Sequence, residues 1–251
     1  MDKVVPWIIP VGIIVIWQFI VTAGIASGKL LPAPSDILLD AWKLFKSGEL
    51  QKNIGISLFR ALLGFIIGGG IGFILGVLNG IFKVCRLAFD NTIQMLRNIP
   101  HLALIPLIIL VIGIGEPSKI FLVSVGCMFP MYINTYHGVT SIDKGLVEMG
   151  RSYGLSNSQV FFKIIFPGAL PTILMGVRYA LGVMWTTLIV AETVATSSGI
   201  GYMANEAEQF TDMSTVILCI LIYALFGKLS DFIAKLLEDT FLVWQNPREI
   251  S

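Results

Sequence analysis

The sequence predicts an all-α membrane protein of about six transmembrane helices, with a helix-turn-helix on its cytoplasmic side. Three observations predict it. Apolar side chains make up 55% of the 251 residues and charged ones only 13%, against about 25% charged in soluble domains, and the mean hydropathy is +0.84. The apolar residues fall into runs long enough to cross a hydrocarbon core of about 30 Å as helices. One long polar stretch, Asp143 to Pro171, interrupts those runs. Backbone groups in lipid must be satisfied within their own segment, so the runs read as helices and the polar stretch as a connector in water.

Composition also excludes classes. The net charge of +1 offers no clustered basic surface for nucleic acid. Cys85, Cys127 and Cys219 lack metal-ligand spacing and sit among apolar neighbours, so they read as packing residues rather than a redox or zinc site.

Residues 4–23 form the first span. Their apolar run exceeds the usual signal-peptide core, which favours a retained helix over a cleaved leader even though Lys3 precedes it. Residues 28–53 turn polar; Ser35 is positioned to cap a short helix with Ile37, Leu38, Ala41, Trp42 and Phe45 on one face, lying in the interface or serving as a solvated connector. The second span, 54–80, carries Gly64, Gly68, Gly72, Gly76 and Gly80 at four-residue spacing. Such a ridge lets another helix backbone approach closely. It is helix packing and not a phosphate loop, which needs a strand before it and water around it.

The third span is expected at 92–114 with Pro100 and Pro106 inside it, and the fourth at 118–137 with Pro130. Proline removes a helical hydrogen bond and kinks the axis. A fifth span follows at 172–194, then an acidic loop at 196–212 with Glu206 and Glu208, and a sixth span at 213–235 whose apolar stripe continues along the tail to Trp244. With the amino terminus inside, inner segments hold Lys3, Lys83, Arg86, Lys144, Arg151, Lys163, Lys235 and Arg248, and outer ones hold Lys29, Lys43, Lys46, Lys52 and Lys119. The excess of positive charge inside places both termini and the 138–171 loop in the cytoplasm.

Within that loop, Leu146 to Tyr153 has helical spacing, and Glu148 and Arg151 stand three apart, able to pair. Gly154 suits a left-handed helix end. Ser156 and Gln159 form a capping box that starts a second short helix, expected to end before Pro167, with Pro171 in the first turn of the next span. Phe161 and Phe162 are adjacent and cannot face the same way, so one packs inward and the other is free to anchor a partner.

The spacing Glu148-x5-Gly154-x9-Ile164-x2-Pro167 resembles the cytoplasmic loop signature, Glu-Ala-Ala-x3-Gly-x9-Ile-x-Leu-Pro, of permease subunits in bacterial ABC importers that work with a binding protein. Met149 and Gly150 stand at the two alanines and Phe166 at the leucine. The runs Ser57 to Phe65, Asn98 to Lys119 and Trp185 to Thr193 resemble the branch that imports aliphatic sulfonates, taurine, nitrate or bicarbonate, with a thiamine-precursor pyrimidine as a further possibility. The resemblance implies a single type I ABC importer permease domain over 1–251 in a bacterial cytoplasmic (plasma) membrane. It implies a homodimer with a second permease copy, two cytoplasmic ATP-binding subunits docked on the loop, and an extracytoplasmic substrate-binding protein, with aliphatic sulfonate as the preferred substrate.

No cofactor is expected on this chain. ATP and Mg belong to the partner ATPase, since Gly24 to Lys29 is one residue short of a Walker A run and lacks its Ser or Thr. The groups expected to couple to that ATPase are Glu148, Gly150, Arg151, Gly154, Ser156, Gln159, Phe161, Phe162, Ile164 and Pro167. Along the substrate path the candidates are Arg97, Asn98, His101, Trp185, Thr186 and Glu192, because charge facing lipid is expensive; Arg97 or Arg178 would suit an anion. A gradient-driven carrier would want intramembrane carboxylates and inverted repeats, and only Glu192 offers itself. A membrane enzyme would want paired acids or His and acid clusters, which His101 and His137 lack.

Overall fold

The structure is a computed structural model that describes residues 5–25, 27, 31–194, 196–242 and 244. Val4, where the first span was expected to start, and Lys3, Lys29 and Arg248, which enter the charge comparison, lie outside the described residues. Among the described residues every regular element is helical. In chain order these are α1 (Val5–Thr22), α2 (Pro34–Ser47), α3 (Glu49–Ile81), α4 (Lys83–Leu96), a 3-10 turn (His101–Leu104), α5 (Ile105–Ile112), α6 (Glu116–Thr140), α7 (Lys144–Ser152), α8 (Asn157–Val160), a π-helical turn (Phe161–Ile165), α9 (Phe166–Thr193), α10 (Ile200–Gln209) and α11 (Met213–Phe241).

Among the described residues three helices are long and apolar enough to cross a membrane: α3, the continuous helix Asn157–Thr193, and α11. A fourth crossing is available if α4 and the segment His101–Ile112 act together as one broken span. α6 falls outside this set because it carries polar residues along its length, of which Ser118, Lys119, Ser124 and Thr135 are buried by protein.

The chain divides into two compact units. The first comprises Met1–Leu58 with Glu192–Ala224. Here α2 starts at Pro34, whose fixed φ suits a first helical position. Ala33, not Ser35, is the capping position, contrary to the sequence expectation; the Ser35 amide and hydroxyl are instead held by the Gln18 side chain of α1 at 3.1 and 3.3 Å. Gly48 ends α2, and α3 begins at Glu49, before the expected 54. The expected acidic loop is largely the helix α10.

The second unit comprises Phe59–Ala191 with Leu225–Ser251. Its core is the seam where the glycine ridge of α3 meets α6. A Cβ on Gly64 would lie 2.6 Å from Val123 Cγ1, on Gly76 2.6 Å from Thr135 Cβ and on Gly80 2.5 Å from Val139 Cγ1, and on Gly68 or Gly72 it would overlap the Ser124 or Met128 carbonyl oxygen. Backbones this close exchange dispersion and weak polar contacts that lipid-facing helices otherwise lack.

Two expectations are corrected in this unit. The third span is not one kinked helix over 92–114: α4 starts at Lys83, stops at Leu96, and is followed by an 83° bend. Pro100 cannot donate the amide that would carry α4 onward, and Pro106 restarts the chain in the first turn of α5. The second hairpin helix does not end before Pro167. α8 runs through the π turn into α9, with the Phe166 amide donating to Phe161 O. A widened turn just before Pro167 relieves the clash that a proline ring makes with the carbonyl four residues back.

Candidate functional site: an exposed hairpin and two sets of polar side chains

The hairpin Asp143 to Ile165 is built by local capping. The Asp143 side chain accepts from the Gly145 amide at 2.7 Å and opens α7. At the other end the Gly154 amide donates to Arg151 O and the Leu155 amide to Gly150 O, at 2.9 and 3.1 Å. This double closure requires the left-handed φ of +81° found at Gly154. Ser156 Oγ then accepts from the Gln159 amide at 3.3 Å while Gln159 Oε1 accepts from the Ser156 amide at 2.9 Å, the reciprocal box that starts α8.

Gly150 is where the two arms touch: a Cβ there would lie 2.5 Å from Ile164 Cδ1. Glycine at this position therefore trades helix propensity for close packing of α7 on the π turn. Val160 is buried beneath the hairpin. Glu148 and Arg151 both point to solvent and form no ion pair with each other among the described residues.

Several large apolar side chains are exposed on the hairpin among its polar ones. Leu146, Met149 and Tyr153 of α7 are exposed, Tyr153 to 81%, and so is Phe162 at 65%. Phe161 is half-buried between Phe162 and Phe166, with ring centroids 5.0 and 6.0 Å away. The two adjacent rings thus split, one inward and one outward, and Pro167 follows half-buried at the start of α9.

The expected path residues part company. Arg97 and Asn98 are exposed at the break after α4. His101 turns inward, its Nε2 lying 2.9 Å from Thr187 Oγ1. Thr186, the neighbour of that threonine, points the other way into a groove of about 510 Å³ lined by Met175, Arg178, Tyr179, Gly182, Val183 and Asp231. In that groove the Arg178 guanidinium is held by Asp231 at 2.6 Å and faces Glu238 at 3.7 Å, so it does not stand as a lone cation.

Trp185 does not line the groove. It is buried, stacked on Phe226 at 5.1 Å, and its Nε1 donates to Ser230 Oγ at 2.8 Å. Glu192, in the first unit, is buried completely. Its carboxylate accepts from Ser57 Oγ at 2.8 and 2.9 Å, from the Gly201 amide at 2.9 Å and from the Tyr223 hydroxyl at 3.0 Å. Nearby on α10, a hydrogen bond to the Glu206 carboxylate raises the Tyr202 phenol above its ordinary range.

Sequence reading missed Ser57 and Tyr223 as partners of Glu192, and it missed the ion pair of Arg60 with Glu116. A signal was present for two of these residues, though not for their partners. Ser57 and Arg60 are polar residues inside an apolar run, and a buried Arg needs an acid that has to come from elsewhere in the chain.

Residues 68–242 match the family model described as binding-protein-dependent transport system inner membrane component. A permease protein of Escherichia coli (strain K12) whose name refers to aliphatic sulfonates transport is 53% identical over 98% of this chain and 93% of its own. A Bacillus subtilis (strain 168) permease protein named in the same way is 44% identical over 96% and 88%. Among solved structures, an amino acid ABC transporter superposes over 81% of this chain and 96% of its own with a TM-score of 0.65 at 18% identity, a likeness of fold. The chain is a multi-pass membrane protein and belongs to the binding-protein-dependent transport system inner membrane component family.

Proposed function

We propose that this chain is the transmembrane permease subunit of an ATP-driven importer that carries an aliphatic sulfonate. The observation that carries the reading is the hairpin. It is closed at both caps and buried on one side through Val160 and the Gly150–Ile164 contact, and it offers Leu146, Met149, Tyr153 and Phe162 to solvent. A capped hairpin that exposes aromatic and aliphatic side chains among charged ones fits a soluble partner with a matching cleft. That partner is an ATPase subunit in the cytoplasm, which binds ATP and Mg and performs the hydrolysis.

Two permease copies pair, each with one ATPase, and closure of the ATPases pulls the hairpins and rocks the spans between inward and outward openings. α9 is one membrane crossing long and separates the hairpin from α10 in the chain, so α10 and its acidic residues face outward, toward the binding protein. The termini lie in the cytoplasm with the hairpin. The choice of sulfonate is supported by the names of the two relatives at 53% and 44% identity.

Gly154→Pro tests the coupling half of this reading. Proline fixes φ near −65° where the hairpin needs a left-handed turn, and removes the amide that closes α7. The variant is expected to insert at normal levels, lose the ATPase in copurification, and lose uptake of labelled alkanesulfonate in proteoliposomes. Unchanged uptake overturns the coupling role, and uptake by the chain alone under a proton or sodium gradient overturns the importer.

A further inference from the structure

The buried Glu192 carboxylate is one member of a cluster that satisfies the start of α10. Gly199, the residue before α10, donates its amide to Asn53 Oδ1 at 2.8 Å, Ile200 donates to Ser57 Oγ at 2.9 Å, and Gly201 donates to Glu192. The first amides of a helix have no partner within it, and here buried side chains of α3 and the end of α9 supply the acceptors. Tyr223 of α11 donates to the same carboxylate. Gly199 sits at a φ of +110°, and a Cβ there would overlap the Glu192 carboxyl group, so the turn closes directly on the acid.

The other end of α10 is exposed. Glu208, Gln209, Phe210, Thr211 and Asp212 all face solvent, Phe210 to 77%. No Lys or Arg occurs between Arg178 and Lys228. An apolar ring among carboxylates fits a partner lobe that offers Lys or Arg around an apolar hollow.

We propose that Glu192 is a positioning residue: it ties the first turn of α10 to α3, α9 and α11, so that docking of the external binding protein on the far end of α10 bears directly on three helices. The proposal rests on the importer reading. Hydrogen bonds to a buried carboxylate are stiff and costly to leave unmade, so α10 moves with the helix ends that hold it. This makes Glu192 a part of signal reception and not a substrate contact.

The test uses the permease with its ATPase in lipid nanodiscs, and compares the starting protein with Glu192→Gln, Tyr223→Phe and Ser57→Ala. Two quantities are read: amide hydrogen exchange at residues 199–203, and the binding-protein concentration that half-saturates ATPase stimulation. Glu192→Gln puts an NH2 group where three donors converge, and is expected to speed exchange about tenfold or more and to raise the half-saturating concentration by a similar factor. Exchange in the hairpin and basal ATPase rate are expected to stay unchanged. Tyr223→Phe and Ser57→Ala remove one hydroxyl each and give smaller shifts in the same direction, which preserves the test if Glu192→Gln fails to fold.

Unchanged exchange at 199–203 in all variants overturns the tether. Faster exchange with an unchanged half-saturating concentration overturns its role in reception. If no binding protein stimulates even the starting protein, the importer reading fails, and the exchange measurement still decides the tether.

Discussion

Arg60 is fully buried on α3 and forms a two-point ion pair with Glu116, the first residue of α6: Nε lies 2.6 Å from Oε2 and the second amino group 2.5 Å from Oε1. Glu116 is about half-exposed, so the carboxylate carries little desolvation cost while the guanidinium carries most of it. Glu116→Ala takes away the acid facing a buried guanidinium and is expected to cost about 3 kcal/mol, the lower end for breaking a buried pair. Arg60→Lys keeps the charge but loses the planar fork that meets both oxygens, and recovers only part of that stability. Thermal unfolding of the two variants in detergent, followed by size-exclusion chromatography, ranks them; equal midpoints for Glu116→Ala and the starting protein would remove the pair from any structural role.

The glycine ridge makes a prediction with an internal control. Gly68 faces the Ser124 carbonyl, where a methyl group cannot fit, whereas Gly70 on the same helix has nothing within 4 Å of its Cβ position. Gly68→Ala must push α3 and α6 apart and is expected to cost about 1–3 kcal/mol, the usual range for overpacking. Gly70→Ala gains helix propensity and is expected to be neutral or slightly stabilising. Similar unfolding temperatures for the two alanine variants would show that the ridge tolerates separation.

The two hairpin phenylalanines are expected to fail differently. Phe162 is exposed and its ring lies against Phe161, whereas Phe161 is also packed toward Phe166. Phe162→Ala is expected to leave unfolding unchanged and to weaken binding of purified ATPase subunit by about 2 kcal/mol, roughly 30-fold. Phe161→Ala lowers the unfolding temperature as well. ATPase affinity that is insensitive to Phe162 would place the docking surface elsewhere on the hairpin.

What could be read in advance follows the range of the interactions. The caps of α7 and α8 act within a few residues, so Gly154, Ser156 and Gln159 announce their geometry locally. Glu192 is held by Ser57 and Tyr223, 135 and 31 residues away in the chain, and Arg60 meets Glu116 across 56. No local pattern encodes such pairings. Pro100 signalled a disturbance in the third span, but proline sets no bend angle, and the 83° turn depends on what α5 packs against: Ile105 and Ile108 bury against Leu122 and Ala191. The helix α10 was hidden for a related reason. Gly199 at its start has no side chain to announce a cap, and the capping groups come from Asn53, Ser57 and Glu192.

The Tyr132 hydroxyl serves two helices at once. Asn79 Nδ2 donates to it at 2.8 Å and it donates to Asp90 Oδ1 at 2.7 Å, which ties α4 to α3 through α6. Asn79 is almost wholly buried and its Oδ1 has no partner among the described residues. Tyr132→Phe keeps the ring but leaves the Asn79 amide without its acceptor, at an expected cost of about 1–3 kcal/mol. Asp90→Ala is milder, about 1 kcal/mol, because the Tyr132 hydroxyl keeps its bond from Asn79. Once the hydroxyl is gone, Asp90 has little left to lose on that side, so the double variant is expected to cost less than the sum of the singles by about 1 kcal/mol. Strict additivity in that cycle would mean that α4 is held by its apolar contacts and that the Tyr132 hydroxyl contributes to each neighbour separately.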